Sequence, residues 1–428
     1  MSTKILTFIL LVFIVLSCKT EQSAEESATP EDKKLKTGEV FEMKELVKAN
    51  NAFALDIFKK MAGADNLFIS PFSISSALAM TFAGASADTE SEMSQTMHWP
   101  ANTENFHKAF GSLNAKLQKD AKIKEFTINV ANRLFTNKDV ELYSQFAGLN
   151  KNAYGAAVQN IDFSKTEEAA KIINNWVSEK TQKMIPDLLK PSSLDGAQLV
   201  LVNAVYFYGG WAMPFEKSQT VKAPFKESSE KSTEVDFMNK TWDKNDSDFR
   251  FTYFQNEKFQ VLELPYHENK GSMVILLPQT DSSTNFKSLN TLLKELSSEE
   301  LQKMLDSLSS FGGMLDLKLP KWKQTSKSDL VSVFKDLGMT EPFSATSDFS
   351  RISPTVHLQI SAIIHEAVVE VSEKGTKAAA STAVETKATS APMDPEDKVV
   401  FHANHPFIYL IRDNSTGSIL FIGQMCKP

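Results

Sequence analysis

The sequence predicts an α+β fold, and three observations predict it. Helical periodicity dominates the first half of the chain and strand-like runs dominate the second, without the regular strand–helix alternation of a doubly wound sheet. The 428 residues are 42% apolar and include 30 Phe, enough for one large packed domain or two ordinary ones. The two cysteines, Cys18 and Cys426, stand at opposite ends in unlike settings, so no disulfide framework holds the chain.

Element by element, the pattern becomes periodic from about Met43. Leu46, Phe53, Leu55, Ile57, Phe58 and Met61 share much of one helical face. Residues 66–71 read as a short strand stopped by Pro71, and 73–82 as a helix with Ser73 as its cap. Further helices are expected over 104–118, 144–153, 166–183 and 288–307. Strand-like runs cover 126–135, 198–208, 259–266, 272–278, 314–320, 356–371, 399–401, 407–412 and 418–425, implying mixed or antiparallel sheets. Cys426 follows the apolar run Ile419 to Ile422 and reads as a small residue at the edge of the core.

Composition narrows the function. The net charge of −7 is mild and mixed in sign, so a nucleic-acid footprint is absent. Lys116, Lys119, Lys122 and Lys124 read as a solvated face rather than a polyanion site. No G-x-S-x-G, H-E-x-x-H, phosphate loop or G-x-G-x-x-G occurs. The seven His are scattered, and His267 and His357 read as surface or strand positions. No metal site or cofactor is expected, and no nucleophile stands with its base. The chain is therefore read as a non-enzyme, a substrate or binder.

One segment carries a positive signal. Residues 376–388 follow a strong strand and split by parity. Thr376, Ala378, Ala380, Thr382, Val384, Thr386 and Ala388 are all small or β-branched and uncharged. The alternate set holds Lys377, Glu385 and Lys387. Successive side chains of a strand face opposite sides, so this loop is written as a latent strand with one face fit for burial. Roughly 14 residues at ~3.4 Å each would make a strand of ~48 Å.

The segment resembles the hinge and reactive-centre loop of inhibitory serpins, and further motifs stand in order. Residues 66–74 (Asn66-Leu67-Phe68-Ile69-Ser70-Pro71-Phe72-Ser73-Ile74) match an early family signature. Asn203-Ala204-Val205-Tyr206-Phe207-Tyr208-Gly209-Gly210-Trp211, ending at Phe215, matches a second. Leu319-Pro320-Lys321, Leu337-Gly338-Met339, Asp348-Phe349-Ser350, His405-Pro406-Phe407 and Leu420-Phe421-Ile422-Gly423 follow. The likeness covers about 46–428, with the reactive loop at about 373–400.

That resemblance implies a serpin fold of three β-sheets, about nine helices and an exposed loop, and a monomeric inhibitor of serine proteases. In the family, a protease cleaves the loop and forms an acyl-enzyme. The loop then enters the main sheet as a new strand and carries the protease to the far pole before it can deacylate. Gly375 is implied as the entry point, and Thr376, Ala378, Ala379 and Ala380 as the hinge that must slide into the sheet after Glu373. Ser70, Ser73, Asn203 and His365 are implied where the sheet opens, Trp211 where insertion begins, and Lys321 opposite Glu373. Counting sixteen residues from Glu373 places the cleaved bond at Thr389–Ser390, a small bait suited to elastase-like or subtilisin-like enzymes. Lys387–Ala388 is the alternative, suited to a trypsin-like enzyme. Papain-like cysteine proteases are a further target class. A non-inhibitory binding or chaperone protein on the same fold is the competing reading, and the run Ala378 to Ala380 weighs against it.

The N-terminus reads as an address. An apolar stretch from Ile5 to Leu16, broken only by Thr7, has the length of a signal-peptide core. It ends Val15-Leu16-Ser17-Cys18, which resembles the lipobox of bacterial lipoproteins, although Leu16 departs from the commonest pattern. The resemblance implies a signal peptide over 1–17 and a lipid on Cys18, whereas an ordinary secretory signal or short membrane anchor is the alternative; the Ser-, Ala-, Glu- and Lys-rich residues that follow read as a flexible tether over 18–45. Gln22-Ser23-Ala24-Glu25-Glu26 reads either as a signal for the outer face of the outer membrane or as plain solvated linker. The expected location is the outer membrane of a bacterium, exposed at the cell surface. Radiolabelled fatty acid should enter the wild-type chain and not Cys18→Ala; equal labelling of both would remove the anchor.

Overall fold

In the computed structural model the described residues are 30–100, 102–120, 125–156, 158–242, 251–279, 289–311, 313–376 and 398–428. The motif around Pro71 sets the centre of the fold. The strand Leu67–Ile69 ends at Ser70, whose extended backbone (φ −111°, ψ 90°) and side-chain oxygen, accepting from Ser73 N–H, cap the helix Pro71–Phe82. Pro71 occupies the first turn, where a missing N–H costs nothing. The helix therefore starts two residues before the Ser73 expected from sequence. All twelve of its residues are buried and none is charged, so it runs through the core rather than along the surface.

Among the described residues there are nine α-helices and three sheets. The seven-stranded sheet runs, in spatial order, Leu67–Ile69, Ile419–Met425, Phe407–Asp413, Gly271–Pro278, Phe259–Pro265, Thr252–Gln255 and Ser309–Ser310. The four-stranded sheet orders Lys398–His402, Met314–Pro320, Ser232–Trp242 and Val221–Lys226. The six-stranded sheet orders Trp322–Asp329, Ile360–Ser372, the two-residue strand Gly375–Thr376, Leu199–Gly210, Phe126–Asn137 and Val158–Ile161.

In the six-stranded sheet the strand Leu199–Gly210 is apolar on both faces because it is covered on both. Leu199, Leu201, Val205 and Phe207 face the main core. Val200, Val202 and Ala204 face a second core with Ile173 and Val177 of the helix Thr166–Lys180 and Ile185 and Leu188 of the segment after it. This explains the nearly unbroken apolar run of 199–207, which a half-solvated strand would not show. Three sequence motifs meet on the core side. Phe421 stacks on Phe68 with ring centres 5.1 Å apart and tilts against Phe207 at 5.6 Å.

Several expectations change. The segment read as a tether over 18–45 is helical from Pro30, as the N-terminal half of the helix Pro30–Met61. Residues 30–45 lack an apolar run, but Glu, Lys, Leu and Met all favour helix. The single helix expected over 288–307 is two, Leu289–Glu295 and Ser298–Asp306, because Ser297 turns extended and caps the second through Glu300 N–H. Trp322–Asp329 was invisible to hydropathy. Its inward positions include Gln324, which accepts from the Tyr409 hydroxyl, and Ser326, which accepts from Phe68 N–H, so they are polar yet satisfied. Val221–Lys226 carries Pro224, tolerated because this is an edge strand.

Phe421→Ala should remove the ring shared by the three motifs. A loss of about 3–5 kcal/mol is expected for a buried Phe, read as a lowered midpoint in chemical denaturation. An unchanged midpoint would mean that the three rings do not share one packed core.

Candidate functional site

The strands Ile360–Ser372 and Leu199–Gly210 run parallel and pair from Ile360 beside Leu199 to Val368 beside Tyr206. On this seam His365 stands opposite Asn203. The N–H of Ser70 donates to His365 Nε2 at 3.1 Å, so the ring proton lies on Nδ1, which donates to Asn203 Oδ1 at 2.5 Å. Asn203 Nδ2 donates to Ser73 Oγ and to Asn132 Oδ1. Ser70 Oγ donates to Leu420 O at 2.7 Å. The structure thus places Ser70, Ser73, Asn203 and His365 in one buried network that ties the seam to the central helix and to the strand Ile419–Met425. Burial pushes the His365 imidazole down to about 3, so it is neutral.

At the upper end the two strands no longer pair with each other. The chain turns back at Glu373 and Lys374, and Gly375–Thr376 lies antiparallel to both, with Thr376 beside Val371 and Gly209 and Gly375 beside Ser372 and Gly210. The turn is clasped by the segment after Gly210. Trp211 Nε1 donates to Ser372 O at 2.9 Å, Trp211 N–H to Lys374 O at 3.1 Å, and Phe215 N–H to Glu373 O at 2.8 Å. Glu373 Oε1 accepts from Lys321 Nζ and from Thr220 Oγ1, each at 3.0 Å. Desolvation raises the Glu373 carboxyl, but its own backbone N–H, Lys321 and Thr220 outweigh this and hold it below the usual carboxylate range.

Trp211, Lys321, Glu373, Gly375 and Thr376 therefore lie together at one mouth of the seam. Ala378, Ala379, Ala380 and both candidate bonds, Thr389–Ser390 and Lys387–Ala388, lie outside the described residues, as does Cys18. Sequence reasoning missed Asn132, Thr220 and Tyr266. Asn132 carried a faint signal, a polar residue inside the strand read over 126–135, and its register partner is Asn203. Thr220 and Tyr266 carried none, since nothing local marks a residue whose partner lies more than a hundred positions away. Cys426 is buried, with its thiol pushed up to about 11 by desolvation, a non-reactive setting.

This architecture has known counterparts. The sequence model of the family described as Serpin (serine protease inhibitor) matches residues 48–428. The chain belongs to the serpin family. It is 38% identical over 395 residues to the leukocyte elastase inhibitor of Sus scrofa, covering 90% of this chain and 100% of that one. The Homo sapiens leukocyte elastase inhibitor is likewise 38% identical over 395 residues, with the same coverage. Among solved structures, a highly specific serpin of the insect Tenebrio molitor superposes with a TM-score of 0.76 at 29% identity, covering 90% of this serpin and 98% of that chain. The reading of the chain merely as a non-enzyme needs correction: the family is described by what it does to an enzyme, serine protease inhibition.

A pH dependence follows from His365. Unfolded, it takes up a proton below its ordinary 6.5; folded, only near 3. Between these values the unfolded chain binds more protons, so stability falls as pH falls through the window. Glu373, depressed when folded, adds loss in the same direction below its ordinary 4.5. His365→Gln, uncharged throughout, should be less stable at pH 7 by about 1–3 kcal/mol for the broken buried hydrogen bonds. Its thermal midpoint should nevertheless decline less than that of the wild type between pH 6.5 and 4. Parallel declines would mean that His365 is not held neutral.

Proposed function

We propose that this serpin inhibits serine proteases by suicide trapping, with its loop after Glu373 as bait. The observation that carries the proposal is the two-residue strand Gly375–Thr376, which already pairs with both neighbours at the mouth of the seam. The same chain continues into residues whose alternate positions are small and uncharged, as a strand buried on one face requires. Attack of the protease serine on the bait carbonyl gives an acyl ester and frees the new amine on the C-terminal side. With that tether cut, the segment from Lys377 onward enters between the strands Ile360–Ser372 and Leu199–Gly210. The His365–Asn203 contact crosses this seam and must separate for the new strand to pass. Each ladder hydrogen bond gained contributes roughly 0.5–1.5 kcal/mol.

The bait proposed is Thr389–Ser390, favouring elastase-like or subtilisin-like enzymes, with Lys387–Ala388 serving a trypsin-like enzyme. The relatives' name, leukocyte elastase inhibitor, supports the first. Papain-like enzymes are a second class of target. Anchorage through Cys18 at the outer surface of a bacterial outer membrane is part of the proposal and rests on the sequence ending Val15-Leu16-Ser17-Cys18.

An elastase-like enzyme should form an SDS-stable complex with this serpin and release a C-terminal fragment beginning at Ser390. A fragment beginning at Ala388 would move the bait to Lys387, and one beginning at Asp394 or later would overturn the count from Glu373. Ala380→Arg should still be cleaved yet form no stable complex, because it places an unpaired charge on the face to be buried, at a cost of several kcal/mol. Undiminished trapping by this variant would sink the insertion mechanism.

A further inference from the structure

At the mouth of the seam stands a buried group that the mechanism has not used. Tyr266 follows the strand Phe259–Pro265 and has no exposed surface. Its ring stacks on Trp211, with centres 4.9 Å apart and planes 7° from parallel, and packs against Phe207 at 5.2 Å. Burial raises its hydroxyl far above the ordinary phenol range, so it stays protonated. Among the described residues the one hydrogen-bond partner of that hydroxyl is Thr376 Oγ1, at 2.8 Å. Thr376 is itself fully buried.

The surroundings admit little else. A Cβ on Gly209 would lie 2.8 Å from the Tyr266 ring and 2.7 Å from the Phe207 ring. At residue 375, with φ +145°, a Cβ would meet Gly209 O at 2.2 Å. Two backbones thus approach as closely as glycine allows, and the first side chain beyond that approach is delivered onto the Tyr266 hydroxyl. Were Thr376 withdrawn, this hydroxyl would stay in an apolar aromatic nest without a partner, which is unfavourable by more than the hydrogen bond itself contributes.

We propose that Tyr266 is the receptor for the first side chain of the bait loop to enter the sheet, selecting a short hydroxyl-bearing residue at 376. It is a positioning residue. By holding Gly375–Thr376 in place before any protease arrives, it lets insertion begin from a formed strand end rather than from a free loop. Trapping depends on insertion outrunning hydrolysis of the acyl ester, so this docking governs the outcome of an encounter and not its frequency. The inference rests on the trapping mechanism proposed above for its consequence, but the docking itself concerns the intact protein.

The test uses the full chain as wild type, Tyr266→Phe, Thr376→Val, Thr376→Ser and the double variant Tyr266→Phe/Thr376→Val. In the intact protein, amide hydrogen exchange in the peptide carrying residues 375 and 376 should speed up about tenfold in Tyr266→Phe and Thr376→Val, the change expected of one lost buried hydrogen bond. Thr376→Ser should retain the wild-type rate. With an elastase-like and a trypsin-like protease, the ratio of cleaved serpin to stable complex should rise about five- to tenfold in the same two variants. The second-order rate of loop attack should stay constant, and the double variant should be no worse than either single one. A merely structural role would lower thermal stability without shifting this ratio and without rescue by Ser. Unchanged exchange in both single variants, or additive effects in the double one, would overturn the inference. Should the wild type trap neither protease, the trapping mechanism falls and the exchange measurement alone decides the docking.

Discussion

Two parallel strands that pair along most of their length and then part are the constraint around which this serpin is built. Below Val368 and Tyr206 the strands Ile360–Ser372 and Leu199–Gly210 satisfy one another's backbone groups. Above that point each faces an opening, and buried backbone groups without partners are costly. The chain answers by folding its own next segment back into the opening, as Gly375–Thr376. The same opening that must be filled at rest is where a longer strand would be taken in, so the resting structure and the proposed working motion draw on one deficit of hydrogen bonds.

Among apolar register partners such as Ile364–Val202 and Ala367–Val205, the seam carries one polar lock. His365 and Asn203 join the two strands, and Ser70, Ser73 and Asn132 attach that junction to the elements beneath. Hydrogen bonds are directional and break over a short displacement, whereas the apolar layers on either side, the main core and the one under the helix Thr166–Lys180, resist separation over a longer range. A seam locked this way is specific in register yet able to part. The neutrality of His365 matters here, because a second ring proton on Nε2 would face the Ser70 N–H that now donates to it.

Much of this was legible in the chain alone where the signal is local. The helices at 104–120 and 144–154 and the strands at 314–320, 407–413 and 419–425 lie within two residues of their expected bounds, since each carries its own periodicity or apolar run. The helix Ala87–Thr96 and the strands Ser232–Trp242 and Trp322–Asp329 went unread. Their buried positions are few or polar, and partners elsewhere in the chain satisfy them. Of the site, the motif residues Ser70, Ser73, Asn203, Trp211, Lys321, His365 and Glu373 could be named in advance, and Asn132, Thr220 and Tyr266 could not.

By itself, then, the sequence determined the apolar strands, the central uncharged helix, the motif residues and the alternating composition of the loop, because periodicity and residue size are properties of neighbours along the chain. Only the tertiary structure decided that Gly375–Thr376 stands docked between two strands, that Thr376 meets Tyr266, and that His365 carries its proton on Nδ1. Each of these depends on groups brought together from positions more than a hundred residues apart, where no local pattern records which donor will find which acceptor.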